Sequence, residues 1–278
     1  MTPDHVEAAR ALLDFYAEAG VDALVGETPL DRLSVQVDLA PATIDEQAPE
    51  RAPIERAPDM RPRIAPGPET NFAGAAPAAP DIAVMAAREA ARSAASLVEL
   101  REILSKFEGC ALRATAKQLV FADGNPQARV MFVGEAPGRE EDLEGLPFVG
   151  RSGKLLDLMI AAIGLNRTTA YIANIIPWRP PGNRTPTPQE SQICLPFIRR
   201  QIELANPDVL VCLGGPSAQT LLGFKEGIKR MRGRWFKFDT GTREIRAIAT
   251  FHPAYLLRTP LEKRFAWRDF LAVKKALG

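Results

Sequence analysis

Hydrophobic residues follow three different patterns along the chain. In residues 4–19 apolar side chains recur at helical spacing, which predicts a short amphipathic helix within an N-terminal segment, residues 1–39. Residues 40–80 contain nine prolines and few large apolar side chains. Such a segment cannot bury enough surface to offset its chain entropy, so it is predicted to be a disordered linker. The third part, residues 81–278, is predicted to form one folded domain.

The folded part begins with an alanine-rich stretch, residues 81–107, which is predicted to be a leading helix with Asp81 as its N-cap. After it, apolar runs that predict strands alternate with stretches of helical periodicity. The runs are residues 130–133, 170–176, 209–213 and 246–251, and the helical stretches are residues 155–163, 191–204, 216 onward and 261–277. Continuous apolar strands separated by helices are typical of a parallel sheet covered on both faces. The predicted fold class is therefore α/β, a three-layer α/β/α sandwich with a central, mainly parallel four-stranded sheet.

Charge is distributed unevenly along the chain. Residues 1–100 carry 8 Lys/Arg and 17 Asp/Glu, whereas residues 101–278 carry 27 and 17, although the whole chain has a net charge of +1. A cationic globular part suits binding to a phosphate backbone, because each neutralised phosphate releases condensed counterions. The acidic N-terminal part is either a solvated arm or a segment that competes with DNA for the basic face, and both interpretations stay open.

The cellular compartment is predicted from three features that the sequence lacks, a disulfide framework, a membrane-spanning segment and a secretory signal. Three cysteines, Cys110, Cys194 and Cys212, are too few and too scattered for a disulfide framework, which fits a reducing compartment. No apolar run is long enough to span a bilayer, and the N-terminus has no secretory-signal pattern. A soluble, cytoplasmic protein without a membrane partner is therefore expected.

Chemically informative residues cluster where the predicted strands end, and ligands bind at that edge of parallel sheets. Residues 134–142, GEAPGREED, follow the first strand. Their constrained Gly-Glu-x-Pro-Gly turn holds Glu135 at the edge, and we expect this carboxylate to be functional rather than merely solvated. Phe148 comes shortly afterwards, before a helix. Its ring either stacks on a planar base or belongs to the core.

Two further segments follow later strands. Asn174 lies at a strand end in YIANIIPWRPPGNRTP, and its amide offers the donor and acceptor that complement a uracil edge. His252 begins HPAYLLR after the last strand, where an imidazole can stabilise negative charge on a leaving group. In the same segment Leu256 and Leu257 are either a wedge that enters the base stack or a helix start packed on the core.

Together these segments resemble the uracil-DNA glycosylase superfamily, and in particular its family 4 branch, whose bacterial and archaeal members carry an iron–sulfur cluster. The similarity covers roughly residues 105–278 and rests on GEAPGxxED, GxPFVGRSG, the strand Asn, PPGNRxPxxxE and HPAYLLR in this order. The resemblance implies a base excision repair enzyme that flips uracil out of DNA and hydrolyses its N-glycosidic bond. No lysine is placed for a Schiff base, so the enzyme is expected to be monofunctional.

The resemblance also implies a role for each matching residue. Glu135 would position the attacking water and stabilise the sugar cation with help from Glu141, and His252 would bind uracil O2 as the bond breaks. Asn174 would read the uracil edge, and Phe148 would stack on the base. The remaining assignments are catalytic Asn183, uracil-binding Ala136 and Gly138, and DNA-binding Arg184, Arg258, Leu256 and Leu257.

One departure from the family concerns the cluster. The family's four cysteine positions correspond here to Phe107, Cys110, Trp178 and Cys194, so two of them are aromatic. Because a [4Fe–4S] cluster needs four ligands, we expect no cluster, no metal and no other cofactor, with Cys110 and Cys194 as remnants of the ligand set. Phe107 and Trp178 would fill the vacated space by apolar packing.

Three functions stay open at this point. The first is a glycosylase acting on uracil in single- and double-stranded DNA. The second is a module that binds uracil-DNA with little or no turnover. The third, which rests on fold analogy alone, is a polymerase-associated or nucleotide-processing protein. The protein is expected to be a monomer, and residues 1–95 are candidates for recruiting a protein partner.

Overall fold

The computed structural model describes residues 80–278. Their helices are α1 Pro80–Ser93, α2 Leu97–Lys106, α3 Leu112–Thr115, α4 Arg139–Glu144, α5 Arg151–Ala161, α6 Pro188–Ala205, α7 Gly215–Leu222, α8 Ile228–Met231, α9 Pro253–Arg258 and α10 Lys263–Leu277, with 3-10 turns at Pro181–Asn183 and Pro260–Glu262. Their strands are β1 Asp123–Gly124, β2 Val130–Gly134, β3 Tyr171–Asn174, β4 Val209–Leu213, β5 Trp235–Asp239 and β6 Glu244–Thr250. In this part of the chain no helix combines the length and apolar character needed to cross a membrane. The helix predicted within residues 4–19 and almost all of the predicted linker lie outside the described residues.

The strands of residues 80–278 form one sheet in the order β1-β3-β2-β4-β6-β5. The central strands β3, β2, β4 and β6 pair in parallel, and they are the four strands that the sequence predicts. β1 and β5 add antiparallel edges, so the sheet has six strands rather than the predicted four. β1 is only two residues long, and Phe238 is the one buried residue of the five in β5, so neither has the continuous apolar run that identifies the central strands.

Helices cover both faces of the sheet, which confirms the predicted three layers. α1, α2, α6 and α7 pack on one face against a core that includes Met131 and Val133 of β2. α5 and α10 pack on the other face, against a core that includes Val130 and Phe132 of the same strand. Successive side chains of a strand point to opposite faces. Because both faces are covered, all five residues of β2 are buried.

The predicted leading helix at residues 81–107 is two helices. α1 begins at Pro80, so Asp81 lies in its first turn and is not the N-cap. α2 begins after Ser96, whose side chain accepts a hydrogen bond from the backbone amide of Glu99. A serine that satisfies an unpaired amide in this way favours a new helix start, which explains the break between α1 and α2.

Candidate active site

A cavity of about 590 Å³ opens at the carboxyl edge of the parallel strands. This is the edge at which parallel α/β sheets bind ligands. The cavity brings together three of the predicted segments, which are far apart in the sequence. Predicted site residues that line it are Glu135, Ala136, Gly138, Asn183, Arg184, His252 and Arg258.

His252 lies where β6 leads into α9 and is the N-cap of that helix. Its Nδ1 accepts a hydrogen bond from the backbone amide of Ala254 at 3.1 Å. A neutral imidazole whose Nδ1 is an acceptor carries its proton on Nε2. Burial, and to a smaller extent the positive charge of Arg258, lower the pKa of His252 to about 4. At neutral pH the site therefore contains an uncharged imidazole with an Nε2–H donor.

Phe148 and Asn174 lie next to the residues that line the cavity. The Phe148 ring stacks on the His252 imidazole, with ring centroids 5.4 Å apart and planes inclined by 29°. Phe148 and Asn174 both pack against Gly134, where a Cβ atom would lie 2.4 Å from Asn174 Oδ1 and 2.6 Å from Phe148 Cζ. Because Gly134 has no side chain, the Asn174 amide and the Phe148 ring can both lie at the end of β2, and the His252 imidazole joins them through its contact with Phe148.

The Asn174 side chain has an unusual hydrogen-bonding state. It is buried, and among residues 80–278 its Oδ1 is the one fully buried side-chain oxygen or nitrogen that has no hydrogen-bond partner. An unsatisfied buried acceptor costs about 1–3 kcal/mol. A ligand N–H donor that reached this acceptor would remove that cost.

Glu135 follows β2 directly and its side chain is half-buried in the cavity wall. Its backbone carbonyl accepts a hydrogen bond from the amide of Ile176 at 3.0 Å, which ties the turn to the chain beyond β3. Burial raises the pKa of the Glu135 carboxyl above its ordinary value of 4.5. Such a carboxylate can orient a water molecule or stabilise a developing cation.

In the structure Glu141 supports the backbone, which differs from the predicted role of assisting catalysis. Glu141 is buried outside the cavity, and its carboxylate accepts hydrogen bonds from the backbone amides of Gly138 at 2.9 Å, Val149 at 3.1 Å and Gly150 at 3.0 Å. Both carboxylate oxygens are therefore engaged by the backbone. A Cβ atom at Gly138 would lie 2.8 Å from Glu141 Oε2, so the same carboxylate disfavours a side chain at Gly138.

Of the two leucines predicted to form a wedge that enters the base stack, only one is exposed. Leu256 is buried in a small core with Phe251 and Ala266, so the core interpretation is correct for this residue. Leu257 is 38% exposed. Consecutive residues of a helix point about 100° apart, because 3.6 residues make one turn, which is why the two leucines of α9 face different surroundings.

Asn183 and Arg184 lie on the part of the rim formed by the proline-rich loop. Asn183 Oδ1 accepts a hydrogen bond from Arg179 Nε at 2.7 Å. Arg184 forms two bonds to Glu190, with N–O distances of 2.9 and 2.6 Å. Glu190 in turn caps α6 together with Thr187. The loop is thus joined to the start of α6, and both predicted residues already have protein partners.

The turn after β4 also belongs to the site, although the sequence motifs did not predict this turn as a site segment. Gly214, Gly215 and Pro216 line the cavity. Gly214 has a φ of 94°, and a Cβ atom there would lie 3.1 Å from the Cβ of His252. The signal was the Gly-Gly pair directly after an apolar run, at the sheet edge already expected to bind ligands.

The residues that the resemblance aligns with the family's cluster ligands do not fit a [4Fe–4S] cluster. Cys110 and Cys194 are buried with their Sγ atoms 4.0 Å apart, and Trp178 is buried in the same core. The ring of Phe107 packs edge-on against Phe197 at 4.9 Å. Within residues 80–278 no three or more His, Cys, Asp or Glu are grouped to hold a metal ion. Two thiols supply half of the ligands that such a cluster needs.

Comparison with known proteins identifies related sequences over the region that contains this site. A family model described as "Uracil DNA glycosylase superfamily" matches residues 121–271. The chain is 40% identical over 183 residues to a type-4 uracil-DNA glycosylase of Archaeoglobus fulgidus, covering 64% of this chain and 92% of that protein. It is 44% identical over 165 residues to the Thermotoga maritima protein of the same name, covering 58% and 84%. For the Saccharolobus solfataricus protein of that name, identity is 40% over 178 residues, covering 62% and 82%.

Proposed function

The chain belongs to the uracil-DNA glycosylase superfamily, and we propose that it binds an everted uracil among Asn174, Phe148 and His252 and hydrolyses the bond to deoxyribose. Its function is uracil-DNA glycosylase activity in DNA repair. The observation that supports these residues is a chain of contacts at the end of β2: Asn174 and Phe148 both pack against Gly134, and Phe148 stacks on the uncharged His252. The Asn174 Oδ1 acceptor is unpaired.

Recognition of the base rests on the Asn174 amide. Its unpaired Oδ1 accepts the N3–H of uracil, and its Nδ2 donates to O4. Cytosine presents an acceptor at N3 and a donor at its exocyclic amine, so the same amide orientation leaves both pairs unmatched. A site that leaves buried polar groups unpaired rejects the wrong ligand strongly. The Phe148 ring supplies a flat apolar face for the pyrimidine.

Cleavage of the C1′–N1 bond moves its electron pair onto uracil and leaves positive charge on the sugar. The Nε2–H of His252 stabilises the negative charge at uracil O2. The Glu135 carboxylate stabilises the sugar cation and orients the water whose oxygen adds to C1′, taking a proton from that water. Uracil departs as an anion that solvent protonates. Glu135 and His252 thus act on opposite charges of the same transition state.

Uracil-containing DNA is the substrate, and the finer features of its binding are part of the proposal. Arg258 and Arg184 on the cavity rim contact phosphates, and the exposed Leu257 enters the base stack as the nucleotide leaves it. The net positive charge of residues 101–278 supports binding to single- and double-stranded DNA. The enzyme acts as a monomer, and residues 1–95 recruit a protein partner.

The proposed activity is tested with an oligonucleotide that contains one uracil. Incubation followed by alkali should cut the strand at the uracil position, with several products per enzyme molecule. An otherwise identical oligonucleotide with thymine is the control. A shifted but intact strand without turnover would instead support the alternative, a module that binds uracil-DNA. Release of uracil from free nucleotides would support the nucleotide-processing alternative.

The cluster prediction is tested by the iron content of protein purified without oxygen. We expect less than about 0.1 iron atoms per chain and no visible charge-transfer absorbance, because a [4Fe–4S] cluster needs four ligands and the corresponding positions supply two. Stoichiometric iron with a visible cluster band would contradict this expectation. An informative control is the double variant Phe107→Cys/Trp178→Cys, which restores four thiols at the corresponding positions.

The pH dependence of single-turnover uracil release should be governed by Glu135 at the acid side. The pKa of Glu135 is raised above 4.5 by burial, whereas the pKa of His252 is lowered to about 4. As pH falls, Glu135 is therefore protonated first, and the rate falls with it while His252 is still neutral. In Glu135→Gln the overall rate is expected to be about 10- to 100-fold lower, and this acid limb should disappear. An acid limb that persists unchanged in Glu135→Gln would refute the assignment.

A further inference from the structure

The Phe148 backbone adopts a conformation that needs support. Its φ is 56°, in the left-handed region that residues with a side chain rarely occupy. Such a conformation persists only where its surroundings determine it. The ring is buried against Gly134 and stacks on His252, so its position depends directly on this backbone angle. Whatever holds the backbone of Phe148 therefore also positions the ring.

Arg167 holds this backbone from its carbonyl side. Its Nη1 donates to the carbonyl of Pro147 at 3.1 Å, and its Nη2 donates to the carbonyl of Phe148. The same carbonyl lies against α5, where a Cβ atom at Gly153 would be only 1.7 Å from Phe148 O. Because Gly153 has no side chain, the Phe148 backbone can lie against α5. The planar guanidinium of Arg167 reaches two consecutive carbonyls at once.

Arg167 is itself fixed by two carboxylates from other elements. Its Nη1 lies 2.5 Å from Asp123 Oδ2 in β1, and its Nε lies 2.8 Å from Asp157 Oδ1 in α5. On the opposite side of the same turn, Glu141 accepts the amides of Val149 and Gly150. The turn is thus clamped by an arginine on its carbonyls and a carboxylate on its amides.

We propose that Arg167 is a positioning residue for catalysis, which acts by holding Phe148 in its left-handed conformation so that the ring meets the everted base. This inference rests on the proposed function. Arg167 does not line the cavity, and its guanidinium contacts only carboxylates and backbone carbonyls among the described residues. Its effect on the reaction is therefore expected to pass through Phe148.

The test is a double-mutant cycle of Arg167→Ala and Phe148→Ala, measured as single-turnover uracil release at saturating enzyme. Misplacement of a positioning group by about 1 Å costs up to about 100-fold in rate, so Arg167→Ala should lose about 10- to 100-fold. In the Phe148→Ala background the same substitution should change the rate by less than about 3-fold, because the ring that Arg167 positions is already absent.

Arg243→Ala is the matched control. Arg243 also binds two consecutive backbone carbonyls, Asn206 and Pro207 at 2.9 Å each, together with Asp208, but at the opposite edge of the parallel strands. The Arg243→Ala substitution removes the same charge as Arg167→Ala and a similar set of contacts. It should lower thermal stability while leaving the rate of uracil release within about 2-fold of the wild-type value.

The variant Arg167→Lys keeps the charge but replaces the two-pronged donor with a single ammonium, and it covers the case in which Arg167→Ala fails to fold. It should show a several-fold loss in the wild-type background and none in Phe148→Ala. Equal losses in both backgrounds, or an Arg167→Ala rate that matches Arg243→Ala, would overturn the inference and leave the proposed function intact. A wild-type protein that releases no uracil would instead overturn the proposed function and the inference with it.

Discussion

Replacement of His252 by asparagine is expected to lower the single-turnover rate of uracil release by about 100- to 1000-fold, the loss typical of removing one preorganised donor to a developing anion. The imidazole is uncharged at neutral pH because burial lowers its pKa to about 4. It therefore stabilises the departing uracil by donating from Nε2 and not by an ion pair. Asparagine at this position cannot place a donor at the same point.

The asparagine variant separates catalysis from stability. His252 also caps α9 by accepting the amide of Ala254, and asparagine is a good N-cap whereas alanine is not. His252→Ala should therefore lose an additional 0.5–2 kcal/mol or so of stability, while His252→Asn keeps most of it. Both variants should be similarly slow. A His252→Asn enzyme with a rate near that of the wild type would show that the imidazole donor is not needed.

The stability of the wild-type protein should depend on pH through protonation of the His252 imidazole. A lowered folded-state pKa means that the unfolded chain takes up the proton first as pH falls. The contribution of His252 is therefore fully present above its ordinary pKa of 6.5 and is lost as pH falls from there towards about 4. In urea unfolding, the stability of the wild type relative to His252→Asn should therefore be lower at pH 5 than at pH 7.

Substitution of Asn174 by alanine should also lower the rate of uracil release by about 100- to 1000-fold, because the base loses both of its directional partners. Its effect on folding should be unusually small for a buried residue. Asn174 Oδ1 has no partner in the protein, and removal of an unsatisfied acceptor recovers about 1–3 kcal/mol that offsets the lost contacts. Activity should thus fall while the free energy of unfolding stays within about 1 kcal/mol of the wild-type value.

Gln201→Ala provides the opposite control. Gln201 is buried in α6, and its Nε2 donates to the carbonyl of Phe121 at 3.3 Å and to the hydroxyl of Tyr171 at 3.0 Å. Its removal leaves two buried groups without their donor, which should cost about 1–3 kcal/mol of stability without slowing uracil release. If Asn174→Ala destabilised the protein as much as Gln201→Ala does, the unpaired acceptor would have a structural role instead.

The sequence alone was sufficient to predict the central strands and the edge of the sheet at which the site lies. The apolar runs at residues 130–133, 170–176, 209–213 and 246–251 became β2, β3, β4 and β6, because burial on both faces requires a continuous apolar run. The positions of Glu135, Asn174 and His252 followed from the same pattern, since parallel strands bring their carboxyl ends to one edge. These are consequences of local periodicity and chain order.

Only the tertiary structure decided what each polar group near that edge contacts. The sequence motif GEAPGREED contains both Glu135 and Glu141, yet Glu135 lines the cavity and the Glu141 carboxylate accepts hydrogen bonds from three backbone amides. Leu256 and Leu257 are adjacent, and one is core while the other is exposed. The sequence could not predict three further features: the protonated nitrogen of His252, the unpaired oxygen of Asn174 and the hydrogen bonds from Arg167 to the Phe148 backbone. Each depends on atoms that are distant in the sequence and meet only when the layers pack, whereas a pattern along the chain records only which residues share a face.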